Sequence, residues 1–198
     1  MNRRVLGLKA VAIIVISLAG ISVAQAQNGA GKQPSIKNFG CINSNYYRGS
    51  QPKGEDYQEL AALGVKTVVD LQADFDKNEQ RSVEEAGMKF FRIGMSSTVS
   101  PTPENAQAFL KIVNDPANQP VFVHCAGGRH RTGAMTAIYR ITHDGWSPEQ
   151  AFAEMKQYDF NHGFGHGVMK EFVFAFYQDR DRNKAVETTA VGASSTTK

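Results

Sequence analysis

The sequence predicts an α/β domain built on a small, mainly parallel sheet flanked by helices. Three observations carry this. Val65–Leu71 and Val121–His124 are short, continuous apolar runs rich in β-branched residues, as strands buried on both faces are. Segments of helix length separate such runs, and Gly or Pro stands at most of their ends. Strands that alternate with helices are joined by crossovers, which make neighbouring strands parallel.

The elements follow in order. Ile36–Ile42 and Tyr46–Arg48 read as short strands around a turn at Asn43-Ser44-Asn45. Tyr57–Leu63 reads as a helix closed by Gly64, and Val65–Leu71 as a buried strand. Lys77–Ala86 is a polar helix ending at Gly87, and Lys89–Ile93 is a strand. Pro103–Val113 is a helix with Thr102 as N-cap, followed by the strand Val121–His124. Arg131–Thr142 is a helix that Gly145 ends. Pro148–Gln157 is a helix with Ser147 as N-cap and Pro at its first position, and Val168–Tyr177 is the last helix.

The ends read differently. Arg3, Arg4 and Lys9 precede the apolar stretch Ala10–Gly20, and Ala24-Gln25-Ala26 is a small-x-small cleavage site. Residues 1–26 therefore read as an export signal, which places the mature protein in the periplasm or outside the cell. The uncharged run Ala10–Ala26 sits at the lower edge of bilayer-spanning length, so an uncleaved membrane anchor is the rival reading. Residues 27–35 read as a linker, 36–182 as the folded domain and 183–198 as a disordered tail. Without the three N-terminal bases, 19 Lys and Arg face 19 Asp and Glu. That balance argues against a nucleic-acid-binding surface, and the mature domain has no second long apolar segment for a membrane. The two cysteines, Cys41 and Cys125, make no disulfide framework.

The chemistry lies in His124-Cys125-Ala126-Gly127-Gly128-Arg129-His130-Arg131-Thr132-Gly133, between a strand and a helix. A helix N-terminus favours the thiolate of Cys125 over the thiol. The five residues before Arg131 have the length to curl so that backbone N–H groups of Ala126, Gly127, Gly128, Arg129 and His130 converge on an anion. Gly127 and Gly128 permit the positive φ angles this needs. Arg131 supplies a planar fork for two phosphate oxygens. Thr132 places a hydroxyl by the sulfur, His124 orients the loop, and Arg129 and His130 add positive charge at the rim. The pattern suits transfer of a phosphoryl group to sulfur.

On these residues the chain resembles the protein tyrosine and dual-specificity phosphatase superfamily, whose signature is His-Cys, five residues, Arg, Ser/Thr, Gly. Asn118-Gln119-Pro120 and Gly128-Arg129-His130-Arg131-Thr132-Gly133 resemble the plant and fungal atypical dual-specificity phosphatases. So do Tyr47-Arg48-Gly49-Ser50-Gln51-Pro52, which also resembles an opening found in bacterial relatives, Ile93-Gly94-Met95-Ser96, and Trp146-Ser147. The resemblance implies the compact cysteine-phosphatase fold, a phosphocysteine intermediate on Cys125, and no metal or cofactor. It places Tyr47, Arg48 and Gln51 along the pocket. It also implies a phosphorylated protein or an inositol phosphate as substrate, and so either a protein phosphatase or an exported, phytase-like inositol polyphosphate phosphatase.

One departure matters. Most such enzymes protonate the leaving oxygen with an Asp on the loop before the central helix. Here Met95–Pro103 holds no carboxylate. Asp70, Asp74 and Asp76 are the replacements near at hand, and Asp74 is the choice among them. Without an acid, a phenol or an alkoxide leaves poorly, whereas the phosphate of an anhydride needs little help. A phosphate-binding scaffold without turnover is the second reading. A rhodanese-like sulfurtransferase is the third, and the Arg-Thr-Gly continuation disfavours it. Cys41 reads either as a redox partner for Cys125 or as a small buried residue. His162 and His166 fall in a glycine-rich loop and do not read as a metal pair.

Overall fold

A computed structural model describes residues 33–194 except Phe75, with backbone alone from 183 onward. The export signal and most of the linker lie outside the described residues. Among the described residues, no helix is long and apolar enough to cross a membrane.

The chain forms β1 (Gly40–Asn43), β2 (Tyr46–Ser50), α1 (Asp56–Ala62), β3 (Thr67–Gln72), α2 (Glu79–Glu85), β4 (Lys89–Met95), α3 (Pro103–Val113), β5 (Val121–Cys125), α4 (His130–Tyr139), α5 (Pro148–Gln157) and α6 (Gly167–Ser194). One π-helical turn, Arg140–Asp144, extends α4, and a short 3-10 turn, Gly163–Gly165, precedes α6. The sheet order is β1-β2-β5-β3-β4. The β1–β2 hairpin is antiparallel and every other pairing is parallel.

Side chains alternate across this sheet, and each face has its own cover. Val69, Leu71, Val121, Val123 and Cys125 point into a core shared with Phe109, Met135, Ile138, Met155 and Met169 of α3 to α6. Val68 and Phe122 point the other way, against Leu60 of α1 and Val83 of α2. Each such side chain, fully buried, contributes about 1.5–3 kcal/mol. The continuous apolar reading of the central strands is thus explained by helices on both faces.

Both predicted caps form. Thr102 accepts from Asn105 N and Ser147 from Gln150 N, each at 3.3 Å, and each N3 side chain bonds back to the cap. Gly145 ends the π turn at φ 71°. The hairpin differs from expectation, because its first strand begins at Gly40. Residues 36–39 form a tight turn instead, with Phe39 N bonded to Ile36 O and Asn38 left-handed at φ 54°. The last helix also runs past Tyr177 to Ser194, so residues 183–194 are helical rather than a disordered tail. Once a helix is nucleated on a packed face, each further residue adds one bond at little cost.

Candidate active site

Cys125 ends β5, and α4 starts five residues later at His130. The loop between them is held from outside. The Ala126 carbonyl accepts from Gln51 N at 3.5 Å and the Gly127 carbonyl from Asn38 Nδ2 at 2.8 Å. The Gly128 carbonyl accepts from Arg48 Nη2. Planar trans peptides place N–H opposite C=O, so carbonyls tied outward turn the next N–H groups inward. An anion nest is built of N–H groups turned inward in this way.

Gly128 makes the turn at φ 66°, against the Gly49–Ser50 backbone. Gly127 has no positive φ, so only one of the two glycines is needed for its left-handed conformation. Asn38 was not singled out in the sequence; only the turn at residues 36–39 brings it here. Arg48 was expected to line the pocket. It is instead fully buried behind the loop, its guanidinium 3.9 Å from the Tyr158 ring centroid. Tyr47 packs on Phe39 in the α1/α2 core, and Gln51 Nε2 reaches Glu79 at 3.3 Å.

Cys125 is buried beneath the nest. Burial pushes its thiol up, but the hydroxyl and backbone N–H of Thr132, then the charges of Arg131 and His124, outweigh it and hold the thiol below its ordinary value. Arg131 Nη1 donates to Met95 O at 3.0 Å, which locks the fork to the end of β4. Its Nε is buried without a hydrogen-bond partner and remains available to an oxyanion.

The rim charge expected of His130 is corrected. Its ring is buried, stacked on His166 at 3.7 Å and edge-on to Phe160. Burial first, then the charges of His166, Arg129 and Arg131, lower its pKa to about 4, so it is neutral at pH 7. His166 Nδ1 in turn stands 2.8 Å from Ser97 O and ties the carboxylate-free loop to the signature segment.

The three candidate acids separate. Asp74 and Asp76 are exposed in the loop after β3, and no hydrogen bond or ion pair among the described residues joins Asp74 to the signature loop. Asp70 is fully buried and bonded to Arg92 Nε at 2.8 Å. His124 points to the α1/α2 face, with Nε2 3.1 Å from Glu79 Oε1 and Nδ1 4.0 Å from Asp70 Oδ1. Ligand atoms of Asp70, Glu79 and His124 all lie within 4.8 Å of one another, close enough to hold a cation. Arg92 already neutralises Asp70, which disfavours that use.

Cys41 is exposed on β1. Its register, opposite Tyr47 and so Phe122, puts it two strands across and three residues short of Cys125. The two are about 14 Å apart by strand spacing, beyond the reach of a disulfide.

The family described as a DSP-PTPase phosphatase fused to NAD+ kinase matches residues 28–170. The chain belongs to this phosphatase family. Among its relatives, it is 30% identical to inositol diphosphatase SIW14 of Saccharomyces cerevisiae over 130 residues, 63% of this chain and 46% of that protein. It is 31% identical to the dual specificity protein phosphatase TpbA of Pseudomonas aeruginosa over 130 residues, 64% of this chain and 56% of that one. The chain spans about half the length of most curated relatives it matches. The crystal structure of the SIW14 core catalytic domain superposes with a TM-score of 0.65 at 26% identity, covering 78% of this chain and 94% of that domain. For P. aeruginosa TpbA the TM-score is 0.60 at 26% identity, covering 71% and 84%. The phosphatase fold expected from the sequence is the one observed.

Proposed function

We propose that the protein hydrolyses phosphate esters or anhydrides through a phosphocysteine on Cys125. The carrying observation is the signature loop itself, with three carbonyls tied outward around a buried, low-pKa thiol. In the first step the Cys125 sulfur bonds to phosphorus while the bond to the leaving oxygen breaks, and the departing group carries off that electron pair. The loop N–H groups and Arg131 bind the phosphoryl oxygens. In the second step water attacks phosphorus, and the Thr132 hydroxyl stabilises the sulfur as it leaves.

The preferred leaving groups are weakly basic. No carboxylate stands on the Met95–Pro103 loop, and among the described residues no hydrogen bond or ion pair joins Asp74 to the signature loop. A phosphoanhydride suits such a site, and the relatives include proteins named inositol diphosphatase. A phosphotyrosine protein is the second substrate class, supported by the likeness to TpbA. The basic, apolar, small-residue order of residues 1–26 supports export.

The test is phosphate release from p-nitrophenyl phosphate by residues 27–198, beside Cys125→Ser. Activity lost in the variant supports the reading, and equal rates overturn it. Tight phosphate binding without turnover selects the scaffold. A series of aryl phosphates then reads the leaving group. Rates should fall steeply as its pKa rises, whereas a flat series would show that a proton donor is present. Inositol polyphosphates and phosphotyrosine peptides complete the comparison.

A further inference from the structure

Among the described residues, two large apolar side chains stand exposed, Val99 at 63% and Phe164 at 94%. A lone exposed apolar residue needs no explanation. These two are not scattered. Val99 lies on the Met95–Pro103 loop and Phe164 on the 3-10 turn before α6. The two segments are joined, because His166 Nδ1 stands 2.8 Å from Ser97 O and a Cβ on Gly165 would meet Thr98 at 3.6 Å. Both also border the nest. Arg131 Nη1 donates to Met95 O at 3.0 Å, and the His166 ring stacks at 3.7 Å on His130, the residue before Arg131.

Phe164 has a left-handed backbone, φ 54°, which a bulky side chain seldom adopts. Its exposed ring gains almost no packing in return. Backbone strain kept without such a return is found where a site needs it. The kind of ligand follows from charge. Residues 96–102 and 161–166 hold no Lys, Arg, Asp or Glu. A polyphosphorylated ligand carries anions on every side and would need cations here. An aryl phosphate has one phosphate for the nest and an apolar ring beside it. Tyrosine, with a pKa of about 10, is also the least basic of the hydroxyls that a protein offers for phosphorylation.

We propose that Phe164, with Val99 on the joined loop, forms an apolar lip at the mouth of the nest, and that Phe164 determines specificity by packing on the ring of a phosphotyrosine protein. Aromatic rings meet offset or edge to face, so one exposed Phe is enough to engage a tyrosyl ring. Leaving-group basicity sets the chemical step, whereas the lip acts on binding. The inference rests on the nest being the phosphoryl site, and its test reads that site separately.

The experiment is isothermal titration of the full chain carrying Cys125→Ser, with and without Phe164→Asn. Asparagine tolerates the left-handed turn and removes the ring. The probes are a phosphotyrosine peptide with glycine flanks, inorganic phosphate and inositol hexakisphosphate. The peptide should bind about tenfold more weakly to the variant, on the scale of one lost aromatic contact. Its affinity relative to each of the other two probes should fall by the same factor. Phe164→Tyr, which keeps the ring, should restore peptide binding. An unchanged peptide affinity, or an equal loss for all three probes, overturns the proposal. A greater loss for inositol hexakisphosphate also overturns it and assigns Phe164 to polyphosphorylated ligands. If inorganic phosphate does not bind the Cys125→Ser chain at all, the phosphoryl site fails and the lip with it.

Discussion

Gly128 turns directly against Gly49, where an added Cβ would sit 2.5 Å from the Gly49 carbonyl carbon. The obstacle is backbone, which has no rotamer to move aside. The left-handed φ adds its own strain. Gly128→Ala should therefore destabilise by roughly 3 kcal/mol or more and abolish turnover, because the nest opens. At Gly127 the nearest atom is the Nε of Arg129, at 3.0 Å, on a flexible side chain. Gly127→Ala should cost less than about 1 kcal/mol. Melting temperature and p-nitrophenyl phosphate rates, measured on both variants, check the contrast.

The Cys125 thiol should titrate below its ordinary 9.0, so kcat/KM should rise with pH and level off short of that value. Thr132→Val keeps the volume and removes the hydroxyl that lowers the thiol. The rising limb should move to higher pH, and slow breakdown of the phosphocysteine should make a burst visible in stopped flow. Unmoved alkylation and activity midpoints would assign the lowering to Arg131 and His124 alone.

His130 links stability to acid. Its folded pKa is about 4 against 6.5 in the ordinary state. Above pH 6.5 neither state binds the proton and the group has no effect. Between 6.5 and 4 the unfolded chain takes up a proton that the folded chain refuses, so stability falls as pH falls, with the loss complete below 4. Denaturant midpoints measured from pH 7.5 to 4 should show this decline, and His130→Asn should flatten it.

Ser147 separates stability from activity. Its hydroxyl accepts from Gln150 N at the start of α5, far along the chain from the signature loop. Ser147→Ala should cost about 1 kcal/mol and leave kcat unchanged. A fall in kcat at a temperature where the variant is fully folded would show that α5 steers the site.

Arg48 tests the loop from behind. Arg48→Met fills the buried space but gives the Gly128 carbonyl no donor. Phosphate affinity should weaken roughly ten- to a hundredfold, on the scale of one lost charge-assisted bond of 1.5–3 kcal/mol. Isothermal titration with phosphate on a Cys125→Ser background measures it.

The sequence by itself determined the candidate site, because its determinants are local. Cys125, the glycines, Arg131 and Thr132 fall within one strand–loop–helix unit, where spacing alone dictates which groups converge. The central strands and both capped helices were legible for the same reason. Tertiary structure alone decided what surrounds that centre. The carbonyls of the loop are tied by Asn38, Arg48 and Gln51 from the hairpin region, some 75 to 90 residues upstream. His124 meets Asp70 and Glu79 because β3 pairs with β5 in one register and α2 covers that face. Arg48 and His130 read as charges facing a ligand, yet packing places one behind the loop and discharges the other. No periodicity encodes such pairings, since they depend on which strands become neighbours and which face each helix covers.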